Sequence, residues 1–116
     1  MSSDAESIVR EYIEAADRHG SATDNGDFRS ANKAYKAIIR ALHDLDDVDQ
    51  VGRHRLVQAF DHPNLHVRVW AATHLLRIRP ERAIAALTQI AAGRGLAALD
   101  AEIVLSEWHK GTLQIP

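Results

Sequence analysis

Apolar residues recur at intervals of three and four along most of the chain, which predicts amphipathic helices rather than strands. Six such segments can be distinguished, at about residues 3–20, 28–45, 50–60, 64–78, 80–92 and 96–110. The connections after residue 60 are short, so successive helices are expected to run antiparallel. The pattern therefore predicts an all-α fold, a stack of about six antiparallel helices.

Residues with strong helix-end preferences separate these segments. Ser3-Asp4-Ala5-Glu6 has the spacing of a capping box, and Gly20 is predicted to end the first helix. Residues 20–27 form the clearest loop. Pro63 disfavours helical geometry in the residue before it, and Asn64 can cap the helix that follows.

The periodicity also predicts which side chains form each apolar stripe. The stripe of the second helix consists of Ala31, Ala34, Tyr35, Ile38, Leu42 and Leu45. The stripe of the sixth helix consists of Leu99, Ile103, Leu105 and Trp108. We expect Trp108 to be largely buried.

Composition narrows the class of protein. The chain has 116 residues, of which 46% are apolar, 26% charged and only 5% aromatic, and 19 are alanine, which favours close-packed helices. Because there is no cysteine, disulfide scaffolds, zinc-thiolate sites and thiol catalysis are excluded. No apolar run reaches membrane-spanning length, and the polar start does not have the pattern of a signal peptide, so a cytoplasmic location is expected.

A more specific pattern lies at residues 56–92. Asp61-His62-Pro63-Asn64 is followed by Val67-Arg68, Ala71-Ala72 and Leu75, and then by Pro80-Glu81. This arrangement resembles a HEAT-type helical repeat. In such a unit Val67 and Leu75 fill the core, and Ala71 and Ala72 let two helix axes approach to about 8–10 Å. Asp61 and Pro63 belong to the turn, and Arg68 is expected to pair with a carboxylate such as Asp61.

Together with residues 101–111, the pattern is similar to a small bacterial family of HEAT-like, armadillo-type domains of unknown function, over about residues 28–112. The resemblance implies a single domain, 1–116, folded as a right-handed stack, and it brings no established active site that could be carried over. Only one full and one partial repeat unit are present, and three or more are usually needed to share a core. Residues 1–45 are therefore predicted to form a non-repeat cap on HEAT-like helices at 50–111, with a tail at 112–116.

Charge is distributed unevenly along the chain. Residues 1–50 carry 6 basic and 11 acidic side chains, whereas residues 51–94 carry 7 arginines against Asp61 and Glu81. Residues 95–116 carry one lysine against three acids. Three interpretations follow: the arginines pair with the acidic terminal helices, they bind a partner protein, or they bind nucleic acid.

Several side chains are candidates for contact with a partner. The basic and aromatic candidates are Arg53, Arg55, Arg77 and Trp70, since arginine and tryptophan are frequent interface anchors. The acidic candidates are Asp46, Asp47 and Asp49, which form either a solvated helix end or a docking surface for a basic protein.

Catalytic and metal-binding motifs do not emerge from the sequence. The histidines have no metal-ligand spacing, and the serines lack a nucleophile setting, so no catalytic residue, metal or cofactor is predicted. We expect a non-catalytic protein-binding module, immunity-like or an adaptor, of undetermined oligomeric state. The alternative is a nucleic-acid-binding HEAT-like domain that uses the arginine-rich central helices, opposed by the net charge of −2.

Overall fold

Helices make up all the regular structure in residues 2–48 and 52–116, which are the residues that the computed structural model describes; no strand occurs among them. The α-helices are α1 (Ser2–Asp24), α2 (Phe28–Val48), α3 (Leu65–Leu75), α4 (Pro80–Ala91) and α5 (Leu96–Lys110), and a 3₁₀ helix spans Gly52–Asp61. The predicted all-α class with six helical elements is confirmed. Within the same residues, no helix combines the length and hydropathy that a bilayer crossing requires.

The chain divides into two compact units, Met1–Leu56 and Val57–Pro116. In the first unit α1 packs along α2. In the second unit α3 packs on α4 and α5, and α4 packs on α5. The division lies inside the 3₁₀ helix, between Leu56 and Val57.

The first helix does not end at Gly20, so this prediction was wrong. The helix continues to Asp24 and closes at Gly26, which has φ of +71°. There Asp27 donates its N–H to the Ala22 carbonyl (2.8 Å) and Gly26 donates to the Thr23 carbonyl (3.1 Å), the paired bonds of a Schellman motif. Gly20 lies on a buried face, where the extra turn also buries Ala22.

The second helix begins at an aspartate cap that the sequence analysis placed in a loop. Asp27 accepts a hydrogen bond from the Ser30 N–H at 3.1 Å. Hydrogen bonds from Ser30 lower the pKa of the Asp27 carboxyl from its usual value. The predicted stripe of α2 is buried except at Tyr35, which is 41% exposed; its predicted burial was wrong.

The second helix continues to Val48, three residues beyond its predicted end at Leu45, and the break before α3 lies where Pro63 and Asn64 predict it. The 3₁₀ helix ends at Asp61, just before Pro63, and the Asn64 side chain accepts from the His66 N–H at 2.9 Å to cap α3. The predicted capping side chain of Ser3 and the apolar residue Val51 lie outside the described part of the chain.

Small and branched side chains form the core of the second unit. The buried apolar residues of its three helices are Val67, Val69, Ala71, Ala72, Leu75, Ala83, Leu87, Ile90, Ala97, Ala98 and Ala101. Pro80 occupies the first turn of α4, where its missing N–H has no cost. Gly111, with φ of +76°, ends α5 in the left-handed conformation, at the end of the predicted segment 96–110.

The apolar stripe predicted for α5 is only partly correct. Leu99 and Ile103 are 50% and 48% exposed, while Ala97, Ala98 and Ala101 are buried in their place. Trp108 is intermediate in exposure, between the buried alanines and the exposed Leu99 and Ile103. Leu105 is also half-buried, so the core face of α5 is centred on its alanines.

We predict that Gly52→Ala destabilises the protein because a Cβ atom there would overlap the Leu45 carbonyl group. The free energy of unfolding, measured by urea denaturation, should fall by about 1–3 kcal/mol. Gly93→Ala is the matched control, since its Cβ would lie 3.4 Å from the Ile90 carbonyl oxygen. That control should change stability by less than about 0.5 kcal/mol. Equal small effects at both positions would contradict the close approach at Gly52.

Candidate functional site

One pair of predicted partner-binding residues forms an ion pair within the first unit. Arg53 in the 3₁₀ helix donates from Nε to Asp46 Oδ1 at 3.2 Å and from Nη2 to Asp46 Oδ2 at 2.7 Å. This two-bond geometry matches the planar guanidinium to the planar carboxylate. The Arg53 side chain is 14% exposed and the Asp46 side chain 43%. The pair therefore connects the end of α2 to the 3₁₀ helix.

A buried tyrosine from α1 lies within the electrostatic range of this pair. Tyr12 has no exposed surface. Burial raises the pKa of its hydroxyl well above the usual value, and the positive charge of Arg53 acts in the opposite direction. Desolvation is the larger effect because the phenolate would lose its hydration in the core. The charge of Arg53 thus acts on groups from both α1 and α2.

The other predicted partner-binding residues are divided between the two units. In the first unit, Asp47 is exposed near the end of α2 and Arg55 is half-buried; Asp49 lies outside the described residues. In the second unit, Arg77 is exposed just beyond α3. Trp70 is half-buried, and its ring centroid lies 5.5 Å from that of His74 at an interplanar angle of 43°. The role of these residues in partner binding stays a prediction.

The predicted structural residues lie mainly in and around α3. Val67, Ala71, Ala72 and Leu75 have no exposed surface. The expected pairing of Arg68 with Asp61 was wrong, because Arg68 Nε donates instead to the His62 carbonyl oxygen at 2.5 Å. The helix dipole disfavours a positive charge at the N-terminal end of α3. The guanidinium of Arg68 is stabilised there by a backbone carbonyl of the preceding turn and not by a carboxylate.

Histidines occupy structural positions around the same helix. His66 and His74 are buried on α3, and the His62 Nδ1 accepts from the Asn64 N–H at 3.0 Å. Over residues 2–48 and 52–116, no group of three His, Asp or Glu side chains is placed to hold a metal ion.

The surface that sequence reasoning missed is the outer side of α5. Leu96, Leu99 and Ile103 are 44%, 50% and 48% exposed. Their spacing of three and four residues places them on one line along the helix. We name these three residues the α5 stripe. The signal in the sequence was the competing alanine pattern at 97, 98 and 101, which has the same helical spacing and marks the packed face.

Acidic side chains border the α5 stripe. At 100° per residue, Asp100 and Glu107 follow one flank and Glu102 the other. All three are exposed, and none pairs with a cation in the part of the chain that the structure describes. The α5 stripe is therefore an apolar line with carboxylates on both sides, and the exposed Lys110 lies on the same line two turns beyond Ile103.

Two open clefts also carry charged residues. One, of about 220 Å³, is lined by Glu11, Glu14, Arg18, Ala37, Arg40 and Ala41 of α1 and α2. The other, of about 480 Å³, is lined by residues 78–82 at the α3–α4 turn. Arg82 in that second cleft also lies with its guanidinium carbon 5.5 Å from the centroid of the Phe60 ring. Neither cleft brings together side chains in a catalytic arrangement.

We predict that the buried Tyr12 makes stability decline in alkaline solution. Its folded-state pKa is above the ordinary value of 10.0, so above about pH 10 the unfolded chain releases this proton while the folded chain retains it. The free energy of unfolding should then fall by up to about 1.4 kcal/mol per pH unit. In Tyr12→Phe, the free energy of unfolding measured by urea denaturation from pH 8 upward should not show this fall. Tyr35→Phe, the exposed control, should keep it, and an unchanged slope in Tyr12→Phe would contradict the assignment.

We also predict measurable coupling between Asp46 and Arg53. A double-mutant cycle with Asp46→Asn and Arg53→Gln should give a coupling free energy of about 0.5–1 kcal/mol in urea denaturation, because the pair is bidentate but partly exposed. Asp47→Asn, at the exposed neighbouring position, should change stability by less than about 0.5 kcal/mol. Zero coupling would mean that the pair does not stabilise the first unit.

Comparisons with known proteins give a family and a fold. The sequence profile of DUF2019, a domain of unknown function, matches residues 6–108. No protein with a curated description matches the chain. The crystal structure of the protein RPA1889 from Rhodopseudomonas palustris CGA009 is similar, with a TM-score of 0.89 and 22% sequence identity over 97% of this chain and 93% of that chain. At that identity the likeness concerns the fold alone. Because the profile covers most of the sequence, the chain belongs to the DUF2019 family.

Proposed function

We propose that this chain is a non-catalytic protein-binding module that acts by stoichiometric binding, in an immunity-like or adaptor role in the cytoplasm. The observation that carries the proposal is the α5 stripe of Leu96, Leu99 and Ile103, each about half exposed on one helix face. Isolated apolar residues are common on protein surfaces, but an aligned set with a polar border is typical of interaction sites.

The energy available at this stripe is adequate for a moderate interaction. Complete burial of one Leu or Ile side chain contributes about 1.5–3 kcal/mol. Because half of each side chain is already covered, a partner that covers all three gains on the order of 3 kcal/mol from them. The remaining affinity has to come from contacts beside the stripe, since association itself costs several kcal/mol.

The second unit provides a firm support for such a surface. We interpret α3 and α4 as a HEAT-like pair, with Pro63 in the preceding turn, Pro80 at the start of α4 and the buried Ala71 and Ala72. In the proposed right-handed stack, small core residues keep the helices close while exposed positions are free to vary. This supports binding through a preformed surface.

The shifted pKa values of Tyr12 and Asp27 each have a structural explanation. Burial accounts for the raised pKa of Tyr12, and hydrogen bonds from Ser30 at a helix N-cap account for the lowered pKa of Asp27. Shifted groups converging in a cleft would have favoured catalysis. These two instead support a chain whose polar groups serve its fold.

A second candidate function is nucleic-acid binding. Arg77, Arg79 and Arg82 are exposed around the α3–α4 turn, beside the cleft of about 480 Å³. Arginines at such a turn could contact phosphates. The net charge of −2 and the carboxylates around the α5 stripe oppose this alternative, because duplex binding requires several neutralised phosphates.

We predict that a protein partner contacts α5 in the native host. In one sample a photo-crosslinking amino acid replaces Leu99. In the control it replaces Phe28, which is 81% exposed on α2. Irradiation in cells should give a discrete protein adduct from position 99 and none from position 28, identified by mass spectrometry. The purified partner should form a 1:1 complex with this chain. The adduct should also still form after nuclease treatment.

Two outcomes would contradict this function. An absence of adducts at position 99 above those at position 28 would remove the argument from the α5 stripe. An adduct that nuclease abolishes, together with salt-sensitive duplex binding that is lost in Arg79→Gln, would favour the nucleic-acid alternative.

A further inference from the structure

The position of the α5 stripe defines a ridge on one helix. Leu96, Leu99 and Ile103 lie opposite the buried Ala97 and Ala101, and they span eight residues, a rise of roughly 10 Å along the helix. The backbone of α5 is hydrogen-bonded within the helix, so it offers no free edge to which an extended peptide could add. A partner on this ridge therefore has to satisfy its own backbone, which favours another helix.

The charges beside the stripe determine which helix fits. Asp100 and Glu107 lie on one flank and Glu102 on the other, all exposed and without a cation partner among the described residues. A helix lying along Leu99 and Ile103 would bring its own flanking side chains next to these carboxylates. Positive flanks would be attracted on both sides, and negative flanks would be repelled.

A second copy of this chain does not meet that requirement. Two α5 helices paired antiparallel about a two-fold axis place each flank against itself, so Asp100 and Glu107 meet the same acids. Parallel pairing places the flank of Asp100 and Glu107 against the flank of Glu102. Both arrangements oppose like charges, so self-association through this face is disfavoured.

We infer that the α5 stripe, with its acidic flanks, docks an amphipathic helix of a partner protein that carries leucine- or isoleucine-type residues along its centre and lysine or arginine on both sides. The inference rests on the proposed protein-binding function and adds the chemistry of the partner. The apolar line sets the position of the incoming helix, and the acidic flanks select its charge.

Two synthetic peptides test the charge preference. Each has about 20 residues, long enough for substantial helix formation, with leucine at the heptad core positions. One has lysine on both flanks and the other has glutamate, and both carry the same fluorophore. Fluorescence anisotropy should show 1:1 binding of the lysine peptide and at least roughly tenfold weaker binding of the glutamate peptide at about 50 mM salt. The difference should shrink at about 500 mM salt, where exposed charges are screened.

Variants assign the binding to α5. Leu99→Ser should weaken binding of the lysine peptide by about fivefold or more, whereas Phe28→Ser, an equivalent change at an exposed position on α2, should leave that binding unchanged. The double variant Asp100→Lys/Glu107→Lys should reverse the preference toward the glutamate peptide. Because all four positions are exposed, circular dichroism should give the same helix content for every variant.

The inference is overturned if the two peptides bind equally, if Leu99→Ser binds as tightly as the original chain, or if the lysine peptide does not bind. A dimer in analytical ultracentrifugation that Leu99→Ser dissociates would assign the face to a second copy instead. These results remain distinguishable from failure of the proposed function. A protein adduct at position 99 without a charge preference would retain protein binding and reject the basic helix, whereas an absence of adducts would reject both.

Discussion

The packing of alanine side chains in the second unit constrains which side of α5 is accessible. Ala97, Ala98 and Ala101 are buried where α5 meets α3 and α4, and only small side chains permit close approach of helix axes. The larger Leu99 and Ile103 are consequently left on the outer side. If α5 had buried its leucines and isoleucine, its outer side would have been polar. The α5 stripe is exposed because the closely packed inner side has room only for alanine.

The first unit depends on a different interaction, the ion pair between Asp46 and Arg53 near its C-terminal end. The acidic excess of residues 1–50 and the arginines that follow suggest general attraction between segments, and the structure resolves one local part of it as the Asp46–Arg53 pair. The cost of holding Arg53 largely out of water is offset by two hydrogen bonds to one carboxylate. Beside it, Tyr12 remains neutral in the core. Charge here organises the fold of one unit.

Family membership and fold similarity leave function to be argued from the surface. DUF2019 has no assigned activity, and the likeness to RPA1889 at 22% identity concerns the arrangement of the backbone. A common fold can carry unrelated functions, so the physical properties of exposed side chains decide what can bind. In this chain those properties are most distinctive along α5, where aligned apolar groups and exposed carboxylates share one helix.

The sequence alone determined the all-α class and the order of six helices, because apolar periodicity and residues such as Pro63, Asn64 and Gly111 act locally. It did not determine that α1 continues past Gly20, because a glycine can lie either inside a helix or at its end. The contacts made by the additional turn decide between these two positions. The orientation of α5 was also beyond local rules. Leucines and alanines both recur at helical spacing there, and which set faces inward depends on the space that the neighbouring helices leave, a property of the tertiary structure.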